Sequence, residues 1–156
     1  LYVRKLHIFD HLIVTAAQNH QLDPGLITSL IYTESRFNAE CVGTSGEIGL
    51  MQVSVPAAQD WARIHKIESF PLSDLFKPDK NLEIGCWYLS RAVSRWAKNY
   101  ENPLPYALAE YNAGRRNVLR WIPMEEHTPA AFVEAISFPT TKRYVQTILL
   151  RYRGYL

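Results

Sequence analysis

The chain has 156 residues, 47% hydrophobic and 21% charged, which is the make-up of one globular domain able to bury a substantial core. A formal net charge of +2 with no dense Lys/Arg run suits an acidic polymer but argues against nucleic acid as a partner. No stretch approaches the roughly 18 apolar residues that a membrane-spanning helix needs, so no transmembrane segment is expected.

In chain order, the first predicted element is an amphipathic helix over about Val3 to Asn19, with Leu6, Phe9, Leu12, Ile13, Ala16 and Ala17 at helical spacing. Asp23-Pro24 then reads as an N-cap followed by proline at the first helical position, and the helix it opens should end near Arg36 or Phe37. Loop signals follow from Asn38 to Gly49, with glycines at 43, 46 and 49. A helix is expected over Gln52 to Ile64, then a turn-rich connection "FPLSDLFKPDKN". Another helix is expected from about Asn81 to Lys98, with Leu82, Gly85, Leu89, Ala92, Val93 and Trp96 on one side.

Pro103 and Pro105 interrupt the pattern. Short helices over Tyr106 to Asn112 and Asn117 to Trp121 flank Gly114, and two more cover Pro129 to Ile136 and Thr141 to Tyr152. Strand patterning is nearly absent. These elements define an all-α single domain of six to eight helices spanning residues 1–156.

Two cysteines, Cys41 and Cys86, form no CxxC pair, and His7 and His11 lie one helical turn apart with no HExxH frame. No metal is expected. The cysteines admit either a disulfide, in an exported protein, or two buried free thiols. The chain opens on Leu1 without a methionine or a signal-peptide pattern, so it is expected to be a processed or excised portion.

Ile27, Leu30, Ile31 and Glu34 share one helical face. A carboxylate on an apolar face loses solvation of its charged form, and the negative end of the helix dipole opposes that charge further. Both effects raise its pKa and favour the protonated state a general acid needs. The ordinary alternative is an exposed Glu34, or one paired with Arg36. Around it, Gly46, Gly49 and "LMQ" describe a tight turn that a ligand can approach closely. Gln52 can both donate and accept, as recognition of sugar hydroxyl and amide groups requires. "ALAEYNAG" ends a helix on Tyr111, Asn112 and a glycine.

Taken together, "ESRFNAECVGTSGEIGLMQVSVPAA" resembles the first motif block of the soluble lytic transglycosylase family. "KPDKNLEIGCWYL" resembles its central block, through Asn81, Gly85, Tyr88 and Leu89. "EYNAG" at 110–114 is similar to its "AYNAG" block, and "FVEAISFPTTKRYV" to its closing one. The four blocks occur in the family's order and span most of the chain from Asp23 to Tyr152.

The resemblance implies a lysozyme-like fold, a peptidoglycan glycan strand as substrate, no cofactor, a monomer, and a periplasmic or otherwise extracytoplasmic address. It also implies that Glu34 is the single catalytic acid/base. Met51, through its backbone, and Gln52 would line the cleft. Tyr111 and Asn112 would stand across from Glu34, Glu134 would contact sugar, and Tyr144 would serve either the cleft or the core, the core being slightly favoured.

Two positions depart from the family's pattern. Gly43 stands where the family usually has a serine nine residues after the catalytic glutamate, with Thr44 and Ser45 just after it. Glu47 stands where alanine is common, a candidate second carboxylate. Pointing into the cleft, Glu47 would hold a water and favour hydrolysis, as in goose-type lysozymes; pointing to solvent, the expected orientation, it is a loop charge. The rival readings are therefore a hydrolase of the same bond and a non-catalytic peptidoglycan-binding domain.

Overall fold

The computed structural model describes residues 2–155, and side chains from Ile8 onward. Among the described residues it holds eight α-helices and one 3₁₀ turn. They are α1 (Tyr2–Asn19), α2 (Pro24–Ser35), α3 (Val55–Ile64), α4 (Pro78–Trp96), α5 (Leu104–Ala113), α6 (Arg115–Trp121), α7 (Pro129–Ala135) and α8 (Pro139–Arg153). The 3₁₀ turn, Leu72–Phe76, lies between α3 and α4. The only β pairing among the described residues is two isolated bridges, Val42 with Ile48 and Ile48 with Val53. The chain forms two compact units, one ending at Tyr88 and the other beginning at Leu89.

In the first unit α1 packs against α2. Ile13, Ala16 and Ala17 supply the buried stripe of α1. His11 is exposed, while Leu6 and His7 lie outside the described side chains. Asp23 caps α2 by accepting from Gly25 N at 2.7 Å, with Pro24 at the first position, as the sequence predicts. Ile27, Leu30 and Ile31 are wholly buried. The helix stops at Arg36, which turns into the left-handed region (φ 50°) while its N–H still donates to Tyr32 O.

Helices α5, α6 and α8 each start two residues before the expected position, and the starts of α3 and α4 differ by three. α3 begins at Val55, three residues after the predicted Gln52. Gln52 adopts φ 50°, Val53 bridges Ile48, and Ser54 caps the helix by accepting from Ala57 N. α4 begins three residues before Asn81, because Pro78 supplies a fixed φ at a position where no N–H is needed. Its burial also exceeds one stripe: Ile84, Cys86 and Trp87 are buried as well as Leu82, Leu89, Ala92 and Trp96.

The second unit is built around α5, which packs on α6, α7 and α8. Its residues 105–110 are all buried, so α5 is a core helix rather than an amphipathic one. Tyr106 is stacked between Tyr100 and Phe132, ring centroids 4.0 and 4.1 Å away, which ties α5 to α7. Trp121 of α6 donates its indole N–H to Ser137 Oγ at 2.8 Å.

Candidate functional site

In the first unit the site is a helix end joined to a loop. Glu34 is the penultimate residue of α2, half-buried at the rim of the face that Ile27, Leu30 and Ile31 bury. The next residue, Ser35, is buried and donates to Leu50 O at 2.8 Å. This bond fixes the helix end to the "GLMQ" turn. Arg36 Nη1 donates to Tyr32 OH at 3.0 Å, and its guanidinium lies over the Tyr32 ring.

The turn itself is pinned by Asn81 of α4, which is wholly buried. Asn81 Oδ1 accepts from Met51 N at 2.8 Å, and its Nδ2 donates to Ile48 O and Leu75 O, each at 2.8 Å. Gly49 has φ 80°, and a Cβ there would run into this amide and stand 2.6 Å from Leu75 O. A glycine is therefore required on both counts. The Met51 side chain is wholly buried, its sulfur 3.9 Å from Cys86 Sγ.

Gln52 is half-buried, and its Nε2 donates to Cys41 O (3.1 Å) and Gly49 O (2.9 Å). Both amide hydrogens thus serve the loop, and the side chain offers a ligand its oxygen rather than both functions. Glu47 is half-buried; its Oε2 accepts from Ser45 N at 3.3 Å in an exposed part of the loop and lies against Gly43. Cys41 and Cys86 are free thiols, Cys41 half-buried and Cys86 wholly buried. Burial, with a smaller contribution from the Glu83 charge, pushes the Cys86 thiol up to about 12.

In the second unit Tyr111 and Asn112 occupy the end of α5, half-buried and exposed respectively. Asn112 Oδ1 accepts from Thr141 Oγ1 of α8 at 2.7 Å. Glu134 on α7 is exposed, with Lys142 Nζ donating to its carbonyl oxygen at 2.8 Å and lying 3.4 Å from its carboxylate. Tyr144 is buried in α8, in keeping with a core role.

Sequence reasoning passed over Glu110. It is buried beside Tyr111, paired with Arg95 of α4 and accepting from Trp96 Nε1 at 2.6 Å. The signal was available: a glutamate inside the apolar run "ALAEY" raises the same question as Glu34. Among the described residues no group of three or more His, Cys, Asp or Glu could hold a metal ion. No described helix is long and apolar enough to cross a membrane.

These features have counterparts among known proteins. Residues 11–131 match the family profile described as Transglycosylase SLT domain. Over 122 residues the chain is 33% identical to Membrane-bound lytic murein transglycosylase C of Pectobacterium atrosepticum, a match covering 75% of this chain and 34% of that protein. An inactive mutant of lytic transglycosylase Slt from Pseudomonas aeruginosa matches in structure with a TM-score of 0.83 and 29% identity, over 93% of this chain and 23% of that one. The 70 kDa soluble lytic transglycosylase of Escherichia coli matches with a TM-score of 0.83 and 25% identity, over 94% of this chain and 24% of that one.

The fold is thus the all-α, lysozyme-like fold of these enzymes. The chain belongs to the transglycosylase SLT domain family. It spans about a third of the length of the curated relative and about a quarter of each solved chain.

Proposed function

We propose that residues 1–156 act as one lytic transglycosylase domain that cleaves the MurNAc-β-1,4-GlcNAc bond of peptidoglycan, with Glu34 as its single acid/base. The observation that carries this reading is the placement of Glu34. It closes the buried face of α2, on a helix end that Ser35 ties to the Leu50 carbonyl. A carboxyl on a helix end held in this way is placed to deliver a proton to a sugar oxygen.

In the first step Glu34 gives its proton to the bridging oxygen, and the bond from MurNAc C1 to that oxygen breaks. The neighbouring acetamido group supports the positive charge developing at C1. The MurNAc 6-hydroxyl oxygen then bonds to C1, and its proton returns to Glu34. The carboxyl is regenerated, a 1,6-anhydro end is formed, and no water is consumed. This chemistry departs from two-carboxylate glycoside hydrolysis and needs no cofactor.

Gln52 and the Met51 backbone are the proposed sugar contacts of the first unit, and Tyr111, Asn112 and Glu134 those of the second. The domain is proposed to act as a monomer. The glycan strand lies in the bacterial cell envelope, and the relative's description as a membrane-bound murein transglycosylase supports an address there, periplasmic or otherwise extracytoplasmic by virtue of the substrate.

The test is mass spectrometry of fragments released from purified sacculi. Anhydro-MurNAc ends, one water lighter than reducing ends and resistant to borohydride, support the reading. Reducible ends would make the protein a hydrolase. Fragments still released by Glu34→Gln would remove Glu34 as the acid, and no release by the unaltered chain would leave a binding domain.

A further inference from the structure

Gly43 and Glu47 close one tight turn, with Gly43 N donating to Glu47 O at 2.8 Å and Gly46 N to Gly43 O at 3.1 Å. The Glu47 side chain folds back across that turn, where its Oε2 accepts from Ser45 N. It thereby reaches the side of Gly43 that carries no side chain. A Cβ on Gly43 would collide with Glu47 Oε2 and stand 2.7 Å from Gln52 Oε1. One vacant side-chain place therefore gathers two oxygen atoms from two other residues.

Both oxygens are acceptors. The Gln52 amide is oriented by its two Nε2 bonds to Cys41 O and Gly49 O, so its oxygen faces Gly43 and receives no donor among the described residues. Glu47 receives only the backbone N–H of Ser45 among them. Two acceptors converging without a donor repel each other, and a donor placed between them would satisfy both. A hydroxyl would turn lone pairs of its own toward one of them. An amide N–H or an ammonium presents hydrogen and no acceptor.

We propose that Glu47 and Gln52 form a subsite that accepts a hydrogen bond from the C2 nitrogen of an amino sugar in the strand, and that Gly43 is required to leave room for the two oxygens to stand together. The inference rests on the transglycosylase reading and deepens it. The C2 nitrogen has two sources, the acetamido N–H and the free ammonium of a de-N-acetylated sugar. The carboxylate favours the ammonium where it occurs.

The experiment measures kcat and KM on N-acetylated and de-N-acetylated sacculi for the unaltered chain, Glu47→Gln, Gly43→Ser, Glu47→Ala and Gly43→Ser/Glu47→Ala, with melting temperatures alongside. Each single change should raise KM by about tenfold, with a smaller effect on kcat, as loss of one charge-assisted hydrogen bond implies. The double variant should be no worse than the worse single one, because both remove the same feature. De-N-acetylation should lower the KM of the unaltered chain if the subsite takes an ammonium and raise it if it takes the acetamido N–H. Either preference should vanish in Glu47→Gln.

An unchanged KM for Glu47→Gln on both substrates would overturn the proposal, as would multiplicative single effects in the double variant. Co-sedimentation of Glu34→Gln with sacculi, with and without Glu47→Gln, reads the subsite without turnover. Failure of the transglycosylase reading therefore remains distinguishable from failure of this one.

Discussion

Asn81 holds the backbone of Met51 by a 2.8 Å hydrogen bond across 30 positions of sequence, and the rest of its amide is given to Ile48 O and Leu75 O. One wholly buried side chain on α4 thus shapes the turn on which Gln52 is presented, while Ser35 fixes the same turn to the end of α2. Asn81→Ala leaves one N–H and two carbonyls of the loop without their partner. At about 1–3 kcal/mol for each buried group left unsatisfied, softened by relaxation of the loop, the loss should be about 3–5 kcal/mol in urea unfolding. A loss below about 1 kcal/mol would mean that water replaces the amide.

Glu34→Gln should reduce fragment release from sacculi at least about 100-fold, since a positioned general acid contributes roughly that or more. Gln has nearly the same shape and Glu34 is only half-buried, so the melting temperature should stay within a few degrees. Loss of activity with intact folding assigns a chemical role; loss of both would mean the carboxylate is structural.

Glu110→Ala should destabilise the second unit by about 2–4 kcal/mol, because it leaves Arg95 and the Trp96 indole without their acceptor. The Glu110 side chain is 7% exposed while that of Arg95 is 30% exposed, which places the cost below that of a fully buried pair. Glu110→Gln keeps an oxygen for Trp96 and should cost less. Equal costs would show that the charge, rather than the indole bond, dominates.

Native protein should take up one equivalent of a thiol reagent, at Cys41, and the second only on unfolding. Cys41 is half-buried, whereas Cys86 is wholly buried and its thiol is pushed up to about 12 from a reference of 9.0. The raised value means that the folded state holds the proton more tightly than the unfolded one. The resulting stability is complete below pH 9 and falls as pH rises toward 12. Cys86→Ala should flatten that part of the stability curve, and an unchanged slope would place its origin elsewhere.

Much of the helical frame was legible because its signals are local. Asp23-Pro24 marks the start of α2, Pro129 lies at the start of α7, and the apolar spacing of Ile13, Ala16 and Ala17 identifies the buried side of α1. Local signals also misplaced several boundaries, by three residues at the starts of α3 and α4. Gln52 has ordinary helix-forming chemistry, but the turn holds it at φ 50°, outside α3. Pro78 reads as a loop residue and yet opens α4.

By itself the sequence determined the all-α class, the approximate run of helices and the family blocks, since periodicity, caps and motif spacing are properties of adjacent residues. Tertiary structure alone decided the chemistry of the loop. It set which Gln52 atoms remain for a ligand, brought the Glu47 carboxylate onto Gly43, and joined Glu110 to Arg95 and Trp96. Each of these outcomes is a competition among donors and acceptors brought together only by packing, and spacing along the chain carries no record of which of them will meet.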